Sequence, residues 1–126
     1  MIHYLLRRKP VFPVIYVLNG NLLTAGTEKE LERHTGVWTG KASENCTLID
    51  LTGEDWIFTP SFPALSPMSG RKRWRKKDII ELFNNSRLAQ KAKLSYSIKG
   101  LSAKRLDKII NDIVELIGTA NQQISE

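Results

Sequence analysis

Apolar, β-branched positions from Val14 to Leu18 are followed by Asn19-Gly20 and then by a second apolar stretch, Asn21–Ala25. Asn-Gly supplies the two positive-φ positions of a type I′ turn, so this pattern predicts a β-hairpin. Residues 2–6 read as a further edge strand, because Pro10 and Pro13 interrupt pairing soon afterwards, where an edge tolerates it. Thr27 and Glu30 have the spacing of a capping box, predicting a short helix from Glu28 to about His34 that Gly36 ends. Residues 46–51, the turn Thr52-Gly53 and residues 56–59 then predict a second hairpin.

Beyond residue 60 the pattern changes. Pro60, Pro63, Pro67 and Gly70 predict a stiff, extended connector over residues 60–70. Asp78 then precedes Ile79, Ile80, Leu82 and Phe83, whose spacing suits one buried helix face. In the last helix Leu106, Ile109, Ile110, Ile113, Leu116 and Ile117 share a face, opposite Asp107, Lys108, Asn111, Asp112 and Glu115. Ser102 fits its N-cap, Leu101 and Leu106 a hydrophobic staple, and Gly118 the C′ position. That stripe is expected to pack on the sheet, with a dimer seam as the alternative.

Residues 88–95 support two readings. As the start of a helix-turn-helix, small Ala89 and Ala92 permit close helix contact and Ser95 caps a recognition helix that turns Tyr96, Ser97 and Lys99 toward DNA. Lys93 stands where that turn favours glycine, however, and Gly100 weakens the second helix. Residues 94–98 alternate, so they read equally well as a strand.

These elements predict an α+β fold: a small antiparallel sheet of two hairpins with the extra edge strand, covered by two or three helices, the last long and amphipathic. A chain of 126 residues buries roughly two thirds of its unfolded surface, enough for one core. Residues 1–126 are therefore read as a single domain, with a β-rich part to residue 60, the connector, and a basic helical part from residue 71. An apolar content of 41% with 25% charged residues argues for a globular chain rather than a disordered one. Cys46 is the sole cysteine, which excludes an internal disulfide; it suits reducing cytoplasm and reads as a small core residue. Arg7, Arg8 and Lys9 ahead of residues 11–18 imitate a signal peptide. Pro13 and the brevity of the run argue against that, and against a span of about 20 residues across a bilayer.

Charge distribution alters the picture more than the net +6 does. Residues 1–70 carry 6 Lys/Arg against 7 Asp/Glu, a net of −1, while residues 71–126 carry 13 against 6, a net of +7. The densest run is Arg71, Lys72, Arg73, Trp74, Arg75, Lys76 and Lys77, six cations around one tryptophan. A regional positive field concentrates polyanions and speeds encounter with them. Cations for phosphates and an aromatic ring for a base are the two ingredients of a nucleic-acid site. Arg87, Lys91, Lys93, Tyr96 and Lys99 extend the candidate surface.

The favoured reading is a small basic protein that binds DNA or RNA through residues 71–77. Its alternative is a non-enzymatic interaction module, an adaptor or inhibitor, that recognises an acidic protein. Both suit a monomer or a homodimer. A third reading buries Trp74 under the following helix and leaves the cations solvated. Catalysis is disfavoured: His3 and His34 lack partners at metal-ligand spacing. Asp50, Glu54 and Asp55 have the composition of a solvated turn, with Mg²⁺ binding beside a phosphate as the lesser reading. No catalytic residue, metal or cofactor is therefore assigned.

Overall fold

The computed structural model describes residues 3–4, 9–18, 21–38, 46–59, 64–67 and 73–125. Their elements are β1 (His3–Tyr4), β2 (Val14–Leu18), β3 (Asn21–Ala25), α1 (Glu28–Trp38), β4 (Cys46–Ile49), β5 (Asp55–Thr59) and β6 (Ala64–Pro67), then α2 (Lys76–Asn84), α3 (Arg87–Ala92), a 3-10 turn (Leu101–Ala103) and α4 (Leu106–Ser125). The strands form one sheet in the order β1-β6-β5-β4-β2-β3. Every neighbouring pair is antiparallel except β1 with β6. The fold is thus α+β, as the hydrophobic pattern predicts. In the first hairpin Leu18 stands opposite Asn21, which leaves Asn19 and Gly20 for the loop; the expected turn type itself lies outside the described residues.

Side-chain alternation along the strands divides the interior into two layers. Val14, Tyr16, Ala25, Leu48 and Trp56 point to one face and pack with Leu31 of α1. Ile15, Leu22 and Ile49 point to the other, where they meet Ile79, Ile80 and Phe83 of α2 and Ile109, Ile110, Ile113 and Ile117 of α4. Both faces of β2 are covered, which explains why its sequence reads as a continuous apolar run instead of an alternating one. The stripe of α4 packs inward on this second layer, with Ile109, Ile110, Ile113 and Ile117 each at most 1% exposed. No helix of the described residues is long and apolar enough to cross a membrane.

Several expectations need correction. The connector holds β6, paired with β5 through Phe58↔Leu65 and Thr59↔Ala64. Proline closes that strand at Pro67 instead of interrupting it, a position where the missing N–H costs little. Helix α1 continues through Gly36 to Trp38, and α4 continues through Gly118 to Ser125. Glycine stops a helix when it turns left-handed; among the described glycines only Gly53 and Gly100 have positive φ. Ser102 sits within the 3-10 turn and does not cap α4. The capping box of α1 does form: Thr27 Oγ1 accepts from Glu30 N–H at 3.2 Å, and the Glu30 carboxylate reaches Gly26 N–H at 3.0 Å.

Residues 88–92 are helical, as the first reading expects, but neither the recognition helix nor the strand follows. Helix α3 ends at Lys93 in left-handed geometry, φ 58° and ψ 40°, and Leu94 N–H closes back on Ala89 carbonyl at 3.0 Å. The chain then runs to residue 100 without helix or strand. Asn84 holds it there, donating through Nδ2 to Tyr96 carbonyl at 3.0 Å and accepting Tyr96 N–H at 2.8 Å. A side-chain amide thereby takes the place of a strand partner, and no recognition helix forms.

Candidate functional site

Asp50 directly follows β4, and its carboxylate organises the turn. It is 2% exposed and accepts from Val11 N–H at 3.2 Å, Thr52 N–H at 2.9 Å, Thr52 hydroxyl at 2.6 Å, Glu54 N–H at 3.1 Å and Trp56 Nε1 at 3.2 Å. Glu54 is also buried, so the expected solvated turn is overturned. The Mg²⁺ reading fails with it, because Asp50 spends its lone pairs on protein donors. No group of three or more His, Cys, Asp or Glu able to hold a metal occurs among the described residues. The side chains of His3, His34 and Cys46 lie outside the described set.

Gly53 lets the turn approach the rest of the molecule. Its φ is +84°, and a Cβ there would stand 2.6 Å from Leu106 Cδ2, so any side chain meets both backbone strain and a clash. Gly53 carbonyl accepts Trp74 N–H at 2.8 Å, Glu54 and Arg73 form an antiparallel bridge, and Arg73 Nη1 donates to Thr52 carbonyl at 3.2 Å. The cationic run is thus fastened to the turn. Arg71 and Lys72 lie outside the described residues.

From that anchor the run enters α2. Arg75 is its extended N-cap residue and makes no side-chain cap bond. Arg73, Arg75 and Lys77 are exposed, while Lys76 is half-buried and donates from Nζ to Leu101 carbonyl at 3.0 Å. Lys77 lies 3.9 Å from Glu81 with both side chains well exposed, a pairing of little energetic weight. The Arg75 guanidinium has no hydrogen-bond or ion-pair partner among the described residues. Asp78, expected before the helix, instead occupies its first turn, where the macrodipole favours a carboxylate and disfavours the cations around it.

Trp74 is half-buried and packs against the α2–α4 side of the core. Its ring therefore answers to neither a fully solvated nor a fully buried reading. It forms a wall shared by two surface depressions. One, of about 390 Å³, has an apolar floor of Val17, Leu22 and Leu82 with Asp78 and Glu81 at its side. The other, of about 210 Å³, is lined by Asp55, Arg73, Trp74 and Asp78. Asp55 stands opposite Ile49 in the β4–β5 register, which turns it to the helix-covered face. Its Oδ1 is closed off from solvent and has no hydrogen-bond donor among the described residues.

The remaining predicted residues lie elsewhere along the helical layer. Arg87 opens α3, just past the C-terminal end of α2, whereas Arg73 to Lys77 lie at its N-terminal end, roughly 13 Å away along nine residues of helix. Arg87, Lys91 and Lys93 are exposed there. Lys99 is exposed two residues before Leu101, whose carbonyl binds Lys76, so the chain places it nearer the tryptophan end. Tyr96 does not present its ring freely to solvent. Its hydroxyl donates to Asp112 Oδ2 at 2.7 Å, and Lys104 Nζ lies 4.9 Å over the ring.

Burial, the hydrogen bond to Asp112 and the charge of that carboxylate push the Tyr96 phenol from 10.0 up to about 12. Lys104 Nζ lies 3.4 Å from the phenol oxygen, and Lys108 pairs with Asp112 at 3.5 Å. A raised value means that the stabilisation is fully present below pH 10 and lost as pH rises through about 12. Ultraviolet titration should accordingly show a late phenol that Tyr96→Phe abolishes and Asp112→Asn moves back toward the ordinary value. A Tyr96 that ionises like a free tyrosine would contradict the geometry.

Comparison of the chain with protein-family models, with curated proteins and with solved structures finds no match in any of the three.

Proposed function

We propose that the protein binds single-stranded nucleic acid, with Trp74 stacking on a base while Arg73, Arg75 and Lys77 neutralise the flanking phosphates. The observation that supports this reading is a half-buried tryptophan, Trp74, held by a backbone bond to Gly53 and flanked by exposed cations of which Arg75 has no partner among the described residues. Stacking on such a ring contributes about 1 to 3 kcal/mol per base and tolerates any sequence. Asp78 and Glu81 beside the ring disfavour a phosphate in the depressions. An uncharged base belongs inside them and the backbone along the cationic rim.

Affinity for short single strands should fall by orders of magnitude between low and moderate salt, as released counterions lose their entropic advantage. Arg73→Ala combined with Arg75→Ala should weaken binding to every sequence and flatten the salt slope by roughly one to two ion equivalents. Trp74→Ala should leave that slope nearly unchanged and act mainly on single strands. Fluorescence anisotropy with labelled DNA and RNA at several salt concentrations measures all three. Absence of binding at low salt would sink the reading.

A further inference from the structure

Asp55 is half-buried, and its Oδ1, closed off from solvent, has no hydrogen-bond donor among the described residues. A carboxylate oxygen shut off from water without a donor is uncommon in a folded protein and calls for a physical reason. Asp55 lines the smaller depression together with Asp78, Arg73 and the Trp74 ring. At about 210 Å³ this space is below the roughly 300–1,000 Å³ of pockets for drug-sized ligands, a size suited to one ring system. The terminal torsion of aspartate is broad and nearly two-fold, so a small rotation turns the unsatisfied oxygen toward an entering donor.

We propose that this depression selects bases carrying an exocyclic amino group, cytosine above all, over uracil and thymine; the proposal rests on the nucleic-acid reading above. The ring of Trp74 supplies a stacking face for any base. Discrimination comes from the acceptors. Cytosine presents its N4 amino group to a carboxylate, a pairing known from direct readout of bases. Uracil presents carbonyl oxygens on both sides of a single N–H, and those oxygens meet the Asp55 and Asp78 charges unfavourably. Arg73 lies on the wall of the same depression, where its guanidinium reaches the phosphate of the seated nucleotide.

The test compares labelled oligocytidine and oligouridine of equal length, bound to the full chain across a salt series. Oligocytidine should bind roughly ten-fold more tightly, the lower-middle of the range that one good base contact supplies, with the same salt slope for both. Asp55→Asn offers a donor as well as an acceptor and so matches the uracil edge; it should abolish the preference or reverse it, leaving the slope unchanged. Should that variant not fold, Asp78→Asn on the first turn of α2 replaces it and should cut the preference several-fold. Steep salt dependence with equal affinity for the two oligomers would overturn the selectivity and leave the nucleic-acid reading standing. A cytosine preference that persists unaltered in the folded variant would overturn the assignment of that preference to this depression. Failure of both oligomers to bind at low salt would remove the reading and the proposal together.

Discussion

Asp50→Ala should lose about 3–5 kcal/mol of stability, since each buried donor left without its acceptor costs about 1–3 kcal/mol and the losses are only partly additive. Five donors converge on this one side chain, and they come from three places: the approach to β2, the turn itself and the Trp56 indole of β5. Water cannot replace the carboxylate easily where Glu54, Trp56 and Asp50 are all buried. Against a total of about 5–15 kcal/mol for an ordinary domain, the variant should sit near the edge of folding. Asp50→Asn should cost less, because one amide oxygen still accepts while its NH₂ group opposes a donor. Chemical denaturation followed by tryptophan fluorescence measures both. An Asp50→Ala variant with an unshifted midpoint would contradict the turn network.

Ile113→Asp should be at least as damaging. Ile113 is 1% exposed and lies in the layer that α2 and α4 share over Ile15 and Ile49. Aspartate there loses the apolar contacts and brings a carboxylate into an apolar layer, the combination behind losses above about 4 kcal/mol. Loss of folded protein by circular dichroism is the expected outcome. Ile113→Val supplies the graded companion, with a cost of about 0.5–1.5 kcal/mol. A stable, monomeric Ile113→Asp protein would refute the packing of α4.

What could be read from residues alone was local. The first hairpin announces itself through Asn19-Gly20 between two apolar stretches, and α4 through six apolar positions on one helical face. Strand β6 was hidden, because proline density over residues 60–70 outweighs the pairing that only β5 and β1 reveal. Helix ends were misplaced where glycine, at Gly36 and Gly118, keeps helical geometry. Charge made the cationic run legible. The depression beside it was not, since Asp55 meets Trp74 through the Glu54–Arg73 bridge, a contact between residues far apart in the chain. Asp50 carried a faint signal: aspartate two residues before threonine and three before glycine can bond its own turn. Neither the helix-turn-helix nor the strand reading places Tyr96 correctly, because its partners, Asn84 and Asp112, lie 12 and 16 residues away.

The bridge between Glu54 and Arg73, with the adjacent Gly53–Trp74 bond, has a thermodynamic consequence for recognition. A cationic strand that hangs free must have its backbone ordered each time a ligand arrives, at about 1–2 kcal/mol for each residue fixed. Here the backbone on which Arg73, Trp74 and Arg75 stand is already held at one end by the turn and at the other by the first residues of α2. Part of the ordering cost is therefore met during folding, and a partner meets a surface whose backbone is set before contact.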